Sequence, residues 1–205
     1  GLAIKRAFPA VSVSSWENRS LNSQIVLSTF GPLEAMCQDK NFDIGFIFGA
    51  DQLMAVQKYS ATLDLYLAIK KVTNLLMKSL HVFTYNDDHY LFKNLSAPWT
   101  LFYDNELDSR KRFKLPPFCR LVTITLRGKD ENKLCKVSEN LYNNLACEFK
   151  EIYGPNQDYP FKLRDKYRYV LTIKVFKDSS WRDRLVSCMG KINKSNIRIA
   201  IEVHI

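Results

Sequence analysis

RLVTITLRGKDENKLCKVSENLYNNLACEFKEIYGP occupies residues 120–155, and its changes of rhythm decide the fold of the second half of the chain. RLVTITLRG is rich in β-branched and apolar residues and reads as a strand. In the next 22 residues the period lengthens. Leu134, Val137, Leu141 and Leu145 recur at helical spacing and give an amphipathic helix. EIYGP then reads as a short strand. Beyond it, residues 156–166 read as a loop that carries Lys162, Arg164 and Lys166, and YRYVLTIKVF (residues 167–176) reads as a long strand. SSWRDRLVSCMGKIN (residues 179–193) is a second helix and IRIAIEVHI (residues 197–205) a last strand.

The resulting order, β-α-β-β-α-β, is the split pattern of ferredoxin-like folds, with two helices on one face of the sheet. The first half has a different rhythm. IVLST (residues 25–29), DIGFIFGAD (43–51) and LHVFTY (80–85) read as short buried strands. SATLDLYLAIKKVTNLLMKS (60–79) reads as one mostly buried helix. Strands alternating with helices predict an α/β unit with a parallel sheet. SAPWTLFYDNELDSRKRF (96–113) predicts a linking helix with Ser96 as N-cap, and the prolines of KLPPF end it, which puts a boundary near residues 115–117. Three segments are therefore expected: 1–95, a linker at 96–116, and 117–205.

The chain has 205 residues, 46% of them hydrophobic, so a core can form. No apolar run approaches the roughly 20 residues that a membrane span needs. The start at Gly1, without an initiator Met, is expected of a piece of a longer chain. Five scattered cysteines, Cys37, Cys119, Cys135, Cys147 and Cys188, sit beside apolar residues, as buried free thiols do. They fit a reducing, cytoplasmic setting. His81, His89 and His204 are not spaced to complete a zinc site, and no metal is expected.

The net charge of +9 is uneven: residues 1–108 carry 9 Lys and Arg against 11 Asp and Glu, and residues 109–205 carry 21 against 10. Charge alone leaves both a solvated basic surface and a polyanion footprint standing. No P-loop, dinucleotide fingerprint or nucleophile elbow occurs, so no catalytic residue and no cofactor is expected. Asp87 and Asp88 with His89 have the look of a metal or acid–base cluster, but Asp-Asp at the head of a helix reads rather as macrodipole compensation and capping. What remains is cations interleaved with aromatic rings: Lys162, Arg164, Lys166 and Arg168 with Tyr159, Tyr167 and Tyr169, backed by Arg110, Lys111, Arg112 and Lys114. Cations track phosphates, and exposed rings stack on unpaired bases, which favours single-stranded or forked DNA over plain duplex. Period-2 alternation argues instead that Tyr167 and Tyr169 face the core.

FYDNELDSRKRFKLPPFCRL (102–121) resembles the junction segment of the PriA-type primosomal replication-restart helicases. YGPNQDYPFKLRDKYRYVLTIK (153–174) and TYNDDHY (84–90) are similar to two further segments of that family, in the same order. The resemblance implies a C-terminal portion: a second RecA-like helicase lobe followed by a ferredoxin-like, S10-like domain that binds DNA in replication restart. It also implies single-stranded-DNA-binding protein as a partner, docked through an acidic tail. Where the family has G-T-Q, this chain has Ser28, Thr29 and Phe30; where it has Q-V-A-G-R-A-G-R, this chain has KVTNLLMK, residues 71–78. Leu75 and Lys78 stand at expected arginine positions, and Lys71 opens the segment. A lobe without positioned arginines cannot stabilise charge on a transferring phosphate. The lobe is therefore expected to be degenerate, with Leu75 and Leu76 filling the old site. An active helicase would require an upstream lobe and an unusual ATP site.

Overall fold

The computed structural model describes residues 2–15, 23–31, 42–56, 58–176, 178–191 and 196–205. The chain is α/β, with both parallel and antiparallel pairing, and divides into two compact units, Gly1–Glu106 and Leu107–Ile205. The division falls inside a helix, upstream of the expected boundary near residues 115–117.

In the first unit, α1 (Leu2–Ala7) precedes β1 (Val13–Ser15), which pairs in parallel with β2 (Ile25–Leu27). A second parallel pair joins β3 (Phe42–Ile47) to β4 (Leu76–Val82). Between them lie α2 (Ala50–Met54) and α3 (Ala61–Thr73). The single helix expected over residues 60–79 is a correction: α3 stops at Thr73, and Leu76 already pairs with Phe42. Thr73 and Asn74 are weak helix formers, and Thr73 Oγ1 donates back to the Ile69 carbonyl at 2.9 Å. Strand pairing then captures the apolar residues that follow. At Gly45 the pairing is close: a Cβ would come within 2.7 Å of Leu76 Cδ1, so the leucine side chain would have to shift. The core of the unit gathers Leu65, Tyr66, Ile69, Leu91 and Phe102, with the rings of Tyr66 and Phe102 stacked at 3.7 Å.

α4 (Tyr90–Lys93) is capped by His89, whose Nδ1 accepts from the Leu91 N–H at 3.2 Å, while Asp88 pairs with Lys93 at 2.8 Å. α5 (Trp99–Arg112) begins after Pro98, so Ser96 lies outside its first turn and is not its N-cap.

The second unit has the β-α-β-β-α-β order read from the sequence: β5 (Arg120–Gly128), α6 (Glu131–Ala146), β6 (Ile152–Leu163), β7 (Lys166–Val175), α7 (Trp181–Gly190) and β8 (Arg198–His204). The sheet order is β6-β7-β5-β8, antiparallel throughout. Val122, Ile124 and Leu126 of β5 and Tyr169, Leu171 and Ile173 of β7 pack with Leu134, Leu141 and Leu145 of α6 and Trp181 and Leu185 of α7. Fully burying each Leu or Ile contributes about 1.5–3 kcal/mol.

β6 is a second correction. The stretch expected as a short strand and a loop is one twelve-residue edge strand. Register shifts fall between Tyr153 and Asn156 and between Gln157 and Lys162, each span containing a proline. Proline donates no ladder hydrogen bond and is tolerated at an edge or a bulge. Its presence hides the strand's alternation.

Cys119 and Cys188 are buried, and burial pushes both thiols up. Cys135 is half-buried, and Cys147 is exposed, against expectation; Cys37 lies outside the described residues. No helix among the described residues is long and apolar enough to cross a membrane.

Candidate nucleic-acid interface

β6 and β7 close through Leu163-Arg164-Asp165-Lys166, with Arg164 at φ 50° and Asp165 at φ 57°. Two consecutive left-handed residues make a type I′ hairpin turn, whose twist matches that of the strands. The usual Asn-Gly signature is absent, which is why this turn read as part of a longer loop. The turn presents Arg164 to solvent. Lys162 Nζ lies 4.0 Å from the Asp165 carboxylate and 5.0 Å from the Tyr167 ring centre, with half its side chain exposed.

Tyr167 and Tyr169, two residues apart on β7, face the same core, and Tyr159 stands on β6. Tyr169 is buried in the core, and burial pushes its hydroxyl pKa up. Tyr167 is half-buried, 5.3 Å from Phe161 and covered by Lys162. Tyr159 is 88% exposed and is the ring of the three that is open for stacking. Arg168 is spent: it forms an ion pair with Asp158, and its side chain is only 15% exposed.

Arg110, Lys111, Arg112 and Lys114 end α5 and the turn after it, where cations complement the helix dipole. Arg110 donates to the Pro116 carbonyl at 3.4 Å, Arg112 lies 4.7 Å from the Phe113 ring centre, and Lys114 pairs with Glu151 at 3.1 Å. The Glu151 carbonyl in turn accepts from the Lys174 N–H, near the far end of β7. From Lys166 to Lys174 the strand runs roughly 26 Å at about 3.3 Å per residue. The hairpin cations and the α5 cations therefore sit at opposite ends of the sheet and do not line one compact groove.

The register brings together residues that the sequence reading did not join. Arg198, Arg127 and Arg168 lie directly side by side on three adjacent strands. Beside them is a hollow of about 630 Å³ lined by Arg127, Lys129, Lys133, Lys166 and Arg198, with Asp130 as its carboxylate. Only strand pairing across 30 to 70 residues of chain makes this cluster, so no local signal announces it.

In the first unit, Thr29 is exposed, and Lys78 pairs with Asp43 at 2.8 Å. Phe30, Lys71 and Leu75 meet around a hollow of about 510 Å³ that also includes Leu67, Ala68 and Val72. Leu76 packs against the core as expected, but Leu75 lines this mainly apolar hollow and does not fill it.

An antiparallel four-stranded sheet, two helices on one face and cations gathered at its ends define a basic α/β domain without a catalytic constellation among its described residues. Residues 111–203 match the family model described as "Primosomal protein N C-terminal domain". Relatives named "Replication restart protein PriA" match part of the chain. That of Rickettsia felis is 30% identical over 91 residues, covering 44% of this chain and 14% of the relative. That of Thermotoga maritima is 33% identical over 94 residues, covering 44% and 12%. That of Borreliella burgdorferi is 30% identical over 118 residues, covering 56% and 17%. The chain thus spans less than a fifth of the length of these curated relatives.

Proposed function

We propose that this chain is the DNA-binding C-terminal portion of a replication-restart helicase-like protein, that its second unit recognises single-stranded or forked DNA, and that it hydrolyses no ATP by itself. The observation that carries this reading is the hairpin end of the sheet: within the region that matches the primosomal family, Lys162 and Arg164 are exposed, and Tyr159, earlier on the same hairpin, presents an open ring. Cations there serve the phosphate backbone, and one exposed ring serves an unstacked base.

For the fold we read residues 1–95 as a degenerate RecA-like lobe, 96–116 as a linking helix and Pro-Pro junction, and 117–205 as a ferredoxin-like, S10-like domain. The two parallel strand pairs with intervening helices support the first assignment, and the antiparallel order β6-β7-β5-β8 supports the last. A cytoplasmic setting fits the free cysteines and the replication-restart relatives.

Fluorescence anisotropy with a labelled single-stranded oligonucleotide tests the reading. Binding should weaken with salt along a log–log slope of about −2 to −3, for three or four neutralised phosphates at about −0.7 each. Replacing Lys162, Arg164 and Lys166 together by Ala should flatten that slope by about 2 and weaken all sequences alike. No binding by the unaltered chain would end the DNA reading. An unchanged slope in the triple variant would assign the hairpin to an acidic protein tail instead.

A further inference from the structure

Three arginines side by side on neighbouring strands stand roughly 5 Å apart at their Cα atoms, and like charges so placed repel. Asp158 neutralises Arg168. Nothing among the described residues neutralises the other two. Arg127 is half-buried, and its Nε is shielded from solvent without a hydrogen-bond partner. A buried donor left unpaired is costly, more so when it carries charge.

The repulsion does not stop there. Lys129 and Lys133 flank the start of α6, and Lys166 enters from β7, so five cations border one hollow. None of the five has an ion pair within it: Lys133 is held by its backbone N–H, which donates to Asp130 Oδ1 at 3.0 Å, and its ammonium group is not engaged among the described residues. Among the described residues that line it, only Asp130 stands against the five positive charges, and its carboxylate is committed to capping α6. A folded chain keeps such an arrangement at a cost in stability unless an anion occupies it. The space, about 630 Å³, is ample for a phosphate group with its sugar.

We propose that the hollow bordered by Arg127, Lys129, Lys133, Lys166 and Arg198 is an anchoring site for a phosphate group of a nucleic-acid strand. It is separate from the hairpin tip, although Lys166 stands at the edge of both. The proposal rests on the DNA-binding reading above and adds to it a fixed anchor. Convergent cations in a concave site hold one phosphate in place, whereas cations on a convex hairpin tip only follow the backbone. The guanidinium of Arg127 supplies the directional donor, and the lysines supply charge.

The full chain, labelled with nitrogen-15, would be titrated first with inorganic phosphate and then with decathymidylate, with and without a 5′-phosphate. Backbone resonances of Gly128, Lys129, Asp130, Ile197 and Arg198 are expected to shift in every titration. Stronger shifts with the 5′-phosphorylated strand would assign a strand end, and equal shifts an internal phosphodiester. The double variant Lys129→Glu/Arg198→Glu, both exposed positions, should bind decathymidylate about tenfold more weakly, while Lys150→Glu/Lys191→Glu, the same charge change elsewhere on the unit, should cost much less. The milder pair Lys129→Ala/Arg198→Ala should flatten the salt slope by about 0.7 for each phosphate that is no longer neutralised. Shifts confined to residues 162–167, with the first double variant binding as well as the control, would overturn the anchoring site and leave the DNA reading intact. Phosphate shifts at the hollow without any binding of decathymidylate would overturn the DNA reading and, with it, a nucleic-acid occupant for the hollow.

Discussion

Arg168 shows how much one partner decides. In the sequence it belongs to an unbroken series of cations, yet Asp158 from the neighbouring strand has taken its charge. Asp158→Asn would leave a mostly buried guanidinium without its carboxylate. Urea unfolding should report a loss of roughly 1–3 kcal/mol, with little change in oligonucleotide affinity. His89 carries a different kind of sensitivity. Burial holds its imidazole below the ordinary value of 6.5, although the charge of Glu106 pulls the other way, and its neutral Nδ1 caps α4. As pH falls through 6.5, the unfolded chain binds the proton before the folded one does. The stability that His89 contributes is therefore complete above 6.5 and is lost as pH falls from there toward the folded value. Melting temperatures from about pH 7.5 to 5 should decline in the unaltered chain and decline less in His89→Asn, which keeps an acceptor at the cap.

At the scale of the element, α6 ties stability to the basic hollow through one side chain. Asp130 accepts the Lys133 N–H and so satisfies one of the donors left open at the helix start. The same carboxylate is the negative group among the five cations. Asp130→Ala should lower stability by about 1 kcal/mol in denaturant unfolding. It should also raise affinity for decathymidylate at low salt, because it removes the charge that opposes the phosphate. A fall in both quantities would mean that the cap, and not the charge, governs the hollow. The β6–β7 hairpin works in the opposite manner: its left-handed turn residues set geometry, and Arg164 stands exposed at the turn, whereas Arg168 is paired with Asp158.

For the molecule as a whole, the two units face different chemistry. The first gathers Phe30, Lys71 and Leu75 around a mostly apolar hollow. Neither Leu75 nor Lys78, which is paired with Asp43, offers a bidentate fork to a phosphate. Phosphate-release measurements on the full chain with ATP and single-stranded DNA should stay at the buffer rate. DNA-stimulated hydrolysis that Lys71→Ala abolishes would show that the site is alive. The second unit holds the excess of positive charge, and its binding should be driven by ionic strength far more than by sequence.

The sequence alone determined whatever is periodic or compositional. Leu134, Val137, Leu141 and Leu145 announced α6 because a helix repeats its buried face within a few residues, and the β-α-β-β-α-β order followed from such local rhythms. The charge asymmetry was legible for the same reason, and so was the burial of Tyr169, which strand alternation requires. Tertiary structure decided the rest. α3 yields to β4 at Thr73 because pairing with β3 outweighs a weak local preference. The hairpin turn forms at Arg164 and Asp165 without its usual residues because the two strands demand that twist. The α5 cations and the hairpin cations, which looked like one groove, stand at opposite ends of β7, while Arg127 and Arg198, 71 positions apart in the chain, lie side by side. Strand register is a long-range property: it depends on which surfaces can be buried together, and no window of neighbouring residues contains it.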